Sequence, residues 1–183
     1  MNLLFIGDVV GSGGSEILAL RLYDIKKEYD IDITVINGEN SAQGNGVTAQ
    51  SYRELINLGA DVVTTGNHCF RRQESVDLYE SEERLLRPAN YPDGVIGRGV
   101  AYIDMGAYKV AVINLIGTLT LRLLKIRFPM LTSCWSRSIL RTFLLTFMPR
   151  LPLRKKLWAI IWREEPLLCL AHIPMFRHLT RLS

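Results

Sequence analysis

Three short apolar runs near the N-terminus end in the same way, and that shared ending constrains the fold more than any other feature. Residues 3–6 close on Gly7-Asp8, residues 33–36 on Asn37-Gly38-Glu39-Asn40, and residues 61–65 on Gly66-Asn67-His68. Each run has the length and residue types of a buried strand. The segments between them read as helices. Ile17, Leu18, Leu20, Leu22, Tyr23 and Ile25 fit one helix, with Glu16, Lys26 and Lys27 on its polar face. Residues 49–58 read as a second helix stopped by Gly59, and residues 73–79 as a third. Residues 11–14 read as a glycine-rich loop, with Ser12 or Ser15 as the cap of the helix that follows. Residues 100–104 and 108–115 read as a hairpin around Met105-Gly106-Ala107. Strand–helix alternation of this kind implies a layered α/β domain with a largely parallel sheet.

In such a sheet the C-terminal ends of parallel strands share one edge, where ligands bind. Asp8, Glu39, Asn40, Asn67 and His68 therefore converge although they are far apart in sequence. Two carboxylates, two amides and an imidazole make an oxygen-rich donor set that suits Mn, Fe or Mg better than a thiolate zinc site. Taken singly, the signals are ordinary: an Asp after a strand commonly caps a turn, and Gly-Glu-Asn and Gly-Asn-His are common turn tripeptides. Their recurrence at three successive strand ends is what supports a site. The glycines after the first run do not form a dinucleotide fingerprint, because G-x-G-x-x-G from Gly11 and Gly13 requires a third glycine where Glu16 stands. Cys69 reads as a buried thiol.

The segments LLFIGDVVGS, INGEN with the nearby GNGVT, GADVVTTGNH, RPANYPDG and AVINLIG resemble the YmdB-type branch of the calcineurin-like metallophosphoesterases over residues 1–117. The resemblance implies a layered α-β-β-α sandwich, of which only the N-terminal half is expected to be native-like. It implies a centre of two divalent or trivalent ions, Fe or Mn, with Asp8 and Glu39 as ligands and Glu39 bridging. Asn67 would bind the second metal, Asn40 would lie beside the site, and His68 would protonate the leaving oxygen. Two such metals lower the pKa of a bridging water and clamp a phosphate for in-line attack, with the imidazole as general acid. The substrate class implied is a small phosphodiester or cyclic nucleotide, and the resemblance leaves room for a homo-oligomer.

Beyond Gly117 the text changes. Residues 1–117 hold 10 Lys+Arg against 16 Asp+Glu, whereas residues 118–183 hold 12 against 2. All 14 glycines fall in the first part, and the last 66 residues contain 16 Leu and all three Trp but no Gly, Asp, Asn, Val, Tyr or Gln. At a usual share of ~7%, about five glycines were expected there. The family's further histidine segments, FHAEATSE-like and GTHTH-like, are absent; His172 and His178 stand in unrelated contexts.

Back-translating the tail and reading one base earlier recovers them. Residues 147–152 then permit F-H-A-E-A-T, residues 153–157 S-E-K-K-A, residues 158–165 L-G-Y-Y-L-E-G-R, residues 171–177 G-T-H-T-H-V-Q, and residues 131–135 A-D-E-L-L. Only the first base of each such codon is a largely free choice, so a match of this length in family order implies a reading-frame slip close to Gly117. A tail read out of frame is expected to fold poorly, leaving the first sheet with one uncovered apolar face and a free edge, and to lack the complete metal site. The competing reading is a non-catalytic metal-binding half-domain whose basic tail, interleaved with Trp135, Trp158 and Trp162, binds nucleic acid or anionic membrane.

Three cysteines without metal-ligand spacing favour a reduced, cytoplasmic setting. MNLLFIGDVV lacks the basic start of a signal peptide, and Asp8 ends its apolar run early. The apolar stretches of the tail are cut by Arg141, Arg150 and Arg154-Lys155-Lys156, well short of the ~20 residues of a membrane span.

Overall fold

The computed structural model describes residues 1–116 and, of the remainder, the backbone of residues 140–148, 158–163 and 168–171. The elements run β1 (Asn2–Gly7), α1 (Gly11–Glu28), β2 (Ile33–Asn37), α2 (Ala49–Asn57), β3 (Val62–Thr64), α3 (Ser75–Ser81), β4 (Leu85–Leu86), β5 (Val100–Asp104), β6 (Lys109–Ile116), β7 (Leu140–Met148), β8 (Trp158–Arg163) and β9 (Leu168–Ala171). They form two sheets, ordered β4-β3-β2-β1-β8 and β5-β6-β7-β9. In the first sheet β1 to β4 are mutually parallel, and in the second the hairpin β5–β6 is antiparallel while β6, β7 and β9 are parallel.

The period of two along each strand divides the core cleanly. Leu4 and Ile6 of β1, Ile36 of β2 and Val63 of β3 pack against Leu18 and Leu22 of α1, Tyr52 and Leu55 of α2, and Leu78 and Tyr79 of α3. The alternate residues Leu3, Phe5, Ile33, Val35 and Val62 face the other way, onto Ala101, Val110 and Val112 of the second sheet. Each fully buried Leu or Ile contributes about 1.5–3 kcal/mol through apolar burial. The first sheet is thus covered on both faces, and β8 pairs antiparallel along the whole of β1, from Asn2↔Arg163 to Gly7↔Trp158. Among the described residues the face expected to stand open is packed against Ala101, Val110 and Val112 of the second sheet, and β8 and β4 are the edge strands of the first sheet.

Two local expectations also need correcting. Residues 11–14 belong to α1, and neither Ser12 nor Ser15 caps it: the N-cap is Val10, with no side-chain cap bond. A backbone bridge replaces the cap, because the Gly11 amide donates to the Asn40 carbonyl at 2.9 Å. The helix starts this close to β1 only because position 14 is glycine; a Cβ there would lie 2.9 Å from Val9 Cγ1. The two-residue strand β4 is too short for any period to reveal. α2, by contrast, begins as its sequence suggests, with a Thr48–Ser51 capping box, a device worth ~1 kcal/mol.

Candidate metal centre

The crossover connections bring β1, β2 and β3 to one edge, and the three polar endings meet there. Immediately after β1, Asp8 takes a left-handed conformation (φ 51), which turns the chain toward the end of β2. The Val9 amide donates to the Asn37 carbonyl at 3.0 Å, and Val10 and Asn40 form a parallel bridge. At the end of β2, Gly38 sits where a Cβ would come within 2.7 Å of Leu55 Cδ1 and 3.1 Å of Val63 Cγ1. Only glycine lets this turn lie flat on the helix layer.

Three of the five expected site residues form a hydrogen-bonded chain. Asn40 Nδ2 donates to Asp8 Oδ1 at 2.5 Å, and Asn40 Oδ1 lies 2.9 Å from His68 Nδ1. The Asn40 amino group thus faces Asp8, and its carbonyl oxygen, which only accepts, faces His68. His68 therefore donates from Nδ1, and proton exchange with a ligand oxygen falls to Nε2.

Glu39 is only 3% exposed, and its Oε2 has no hydrogen-bond partner among the described residues. Burial and, to a smaller extent, the charge of Asp8 push the Glu39 carboxyl up to about 7, against the opposing pull of the His68, Gly66 and Asn67 amides. A buried carboxylate beside a second carboxylate requires a counter-charge, either a proton or a cation. Asn67 contributes its amide to this environment, while its side chain is exposed. Among the described residues, no group of three or more His, Cys, Asp or Glu gathers closely enough to hold a metal. Asp8 and Glu39 thus fit part of a cation shell, and the described chain does not complete it.

Several residues that the sequence did not single out hold this edge in place. Asn114, near the C-terminal end of β6, donates from Nδ2 to the Thr65 carbonyl at 2.6 Å and to the Leu86 carbonyl at 3.1 Å. Tyr79 donates to Thr65 Oγ1 at 2.8 Å, and the Phe70 ring packs edge-on to Tyr79 at 5.2 Å. Arg72 clamps the loop after Asn40, donating to the Asn45 carbonyl at 3.0 Å and to the Gln43 carbonyl. The Asn114 signal was present as a polar residue inside the apolar run AVINLIG; the Arg72 clamp has no local signature. Cys69 is buried, and burial raises its thiol pKa, as befits a packed rather than a reactive cysteine.

The decisive comparison is with a family pattern described as YmdB-like protein, which matches residues 4–145. The chain belongs to the YmdB-like family. A relative from Bacillus subtilis, the 2′,3′-cyclic-nucleotide 2′-phosphodiesterase, is 44% identical over 117 residues, which cover 64% of this chain and 44% of that protein. The fold matches the crystal structure of a hypothetical protein from Thermus thermophilus (TM-score 0.71, 33% identity, 82% of this chain and 59% of that one). It also matches that of a phosphatase from Mycoplasma pneumoniae (TM-score 0.69, 24% identity, 82% and 56%). The architecture is therefore a layered α/β fold shared with both solved structures. The chain spans less than half the length of the Bacillus relative and under two thirds of both solved structures. Among the described residues, no helix is long and apolar enough to cross a membrane.

Proposed function

We propose that this YmdB-like chain carries the N-terminal part of a metal-dependent phosphodiesterase centre whose substrate is a 2′,3′-cyclic nucleotide or a similar small phosphodiester. The observation that carries the reading is Glu39, a buried carboxylate with one oxygen unpartnered among the described residues and close enough to Asp8 to feel its charge. The Bacillus relative's name gives the substrate class. Asp8, Glu39 and Asn67 would hold the ions, Fe or Mn. When bound, the ions supply Lewis acidity and a hydroxide nucleophile. The residues of this chain would do the rest: Asn40 orients the imidazole, His68 presents a proton from Nε2 to the leaving oxygen, and the burial of Glu39 keeps its carboxyl out of bulk water.

The frame slip near Gly117 belongs to the same proposal, and the backbone register supports it. β7 ends at position 148, where the shifted reading puts the histidine of F-H-A-E; β9 ends at position 171, the glycine that opens G-T-H-T-H. In the ladder Ile116 pairs with Met148 and Phe147 with Ala171, so both ends lie at the C-terminal end of β6. That end touches the C-terminal ends of β3 and β4 through Asn114. In-frame histidines would start from the edge that carries Asp8, Glu39 and His68. In the chain as it stands, the metal site is incomplete and phosphodiesterase activity is impaired.

Manganese titration of the 183-residue chain tests the site. The expected result is one weakly bound ion, lost in both Asp8→Asn and Glu39→Gln. Equal binding by the parent chain and both variants would overturn the assignment of these carboxylates. The DNA of the locus decides the slip: intact family codons in the shifted frame are expected, and their absence would return the basic-tail reading.

A further inference from the structure

The outward face of α1 is unusual for a helix that already buries Leu18 and Leu22 on the other side. Ile17, Leu20 and Tyr23 are 53%, 76% and 74% exposed. Single exposed apolar residues are ordinary, but these follow one another at three-residue intervals along the same outer face. Around them the line continues with Glu16 on one side and Lys27 on the other. The spacing 16, 20, 23, 27 is that of the seam of a two-helix coiled coil, in which successive residues alternate three and four apart.

We infer that this face pairs with the same face of a second copy of the chain, α1 antiparallel to α1, about a twofold axis between Arg21 and Leu22. In that register Leu20 of each copy meets Tyr23 of the other, and Glu16 of each meets Lys27 of the other. The sequence therefore satisfies an isologous contact twice over, with an apolar pair at the centre and an opposite-charge pair at each end. Shifting the axis to Leu20 would set Glu16 against Asp24, two like charges, so the charge pattern selects one register. A parallel arrangement would place Glu16 beside Glu16 and Lys27 beside Lys27. The contact offers one helix face per copy, less than the ~1,200 Å² of a standard stable interface, so the dimer is weak and concentration-dependent. Its end pairs are exposed, which makes it sensitive to salt.

Sedimentation equilibrium of the full 183-residue chain, over about two decades of concentration, tests the inference. The expected behaviour is a reversible monomer–dimer equilibrium that weakens as salt is raised. Leu20→Glu should leave the chain monomeric throughout, with an unchanged circular dichroism spectrum because the position is on the surface. Glu16→Lys and Lys27→Glu should each weaken dimerisation by roughly tenfold, since each creates two like-charge contacts. The double variant Glu16→Lys/Lys27→Glu should restore the parent affinity, and this rescue separates a specific α1 pairing from association through the apolar tail. A chain monomeric at every concentration, dimers that survive Leu20→Glu, or a double variant no better than the single ones would each overturn the proposal.

Discussion

The two edges of β1 show two ways of belonging to a sheet. On one side β2 runs parallel, with Leu3↔Ile33 through Ile6↔Ile36 in register. The register is fixed by side chains: the odd residues of β1 enter the inter-sheet core and the even ones the helix layer. Polar clamps around the strand ends, above all Asn114 and Asn40, allow only one alignment. On the other side β8 joins through its backbone ladder, in a segment that lacks the glycines and Asn/Asp residues by which a chain ordinarily sets its turns. Ladder hydrogen bonds are available to almost any apolar run, whereas register must be specified by pattern and turn chemistry. The contrast teaches that strand pairing alone does not show that a segment was shaped for its place.

The largest effect that would sharpen this contrast concerns the site. In a protein whose frame has been restored near codon 117, His68→Ala should slow turnover by roughly 10²–10⁴-fold while leaving metal content intact. Glu39→Gln should lose metal and activity together. Metal analysis beside steady-state kinetics separates the two, and equal metal loss in both variants would make His68 a ligand rather than the proton donor.

Next in size is Asn114→Leu, which removes the Asn114 bond to the Thr65 carbonyl; the Leu86 carbonyl keeps the Thr65 amide and hydroxyl as donors. At about 1–3 kcal/mol for one buried carbonyl losing this donor, urea denaturation of the chain should show a loss of that order. Gly38→Ala should cost about 1–3 kcal/mol by overpacking against Leu55 and Val63. The matching change in the tail, Thr142→Val, should cost less than Asn114→Leu, and limited proteolysis should trim the chain toward residue 117 before cutting the body. A tail substitution as costly as Asn114→Leu, or a protease-resistant full-length chain, would break the comparison.

How far the sequence could be read follows the same division. β1, β2 and β3 were legible as short apolar runs closed by glycine and polar residues, the β5–β6 hairpin and the bodies of the three helices by their apolar stretches, and the meeting of Asp8, Asn40 and His68 because parallel strands share an edge. The start of α1 was not, since the cap is a backbone carbonyl of Asn40 contributed from another strand. Nor was β4, whose place is fixed by pairing with β3 rather than by its own two residues. The exposed side chain of Asn67 and the clamp by Arg72 depend on loop paths that no local pattern encodes. In the tail, the apolar runs were visible, but their partners were not: pairing with β1 or β6 is a tertiary outcome.

The most direct test of the account is a turnover measurement on two proteins, the 183-residue chain and its frame-restored counterpart. Both would be supplied with Mn or Fe and assayed on a 2′,3′-cyclic nucleotide and on a chromogenic phosphodiester. On the proposed function, hydrolysis is expected from the frame-restored protein and none above background from the 183-residue chain, because Asp8 and Glu39 would hold a metal only in part. Comparable turnover by the two, abolished in the shorter chain by Asp8→Asn, would contradict it.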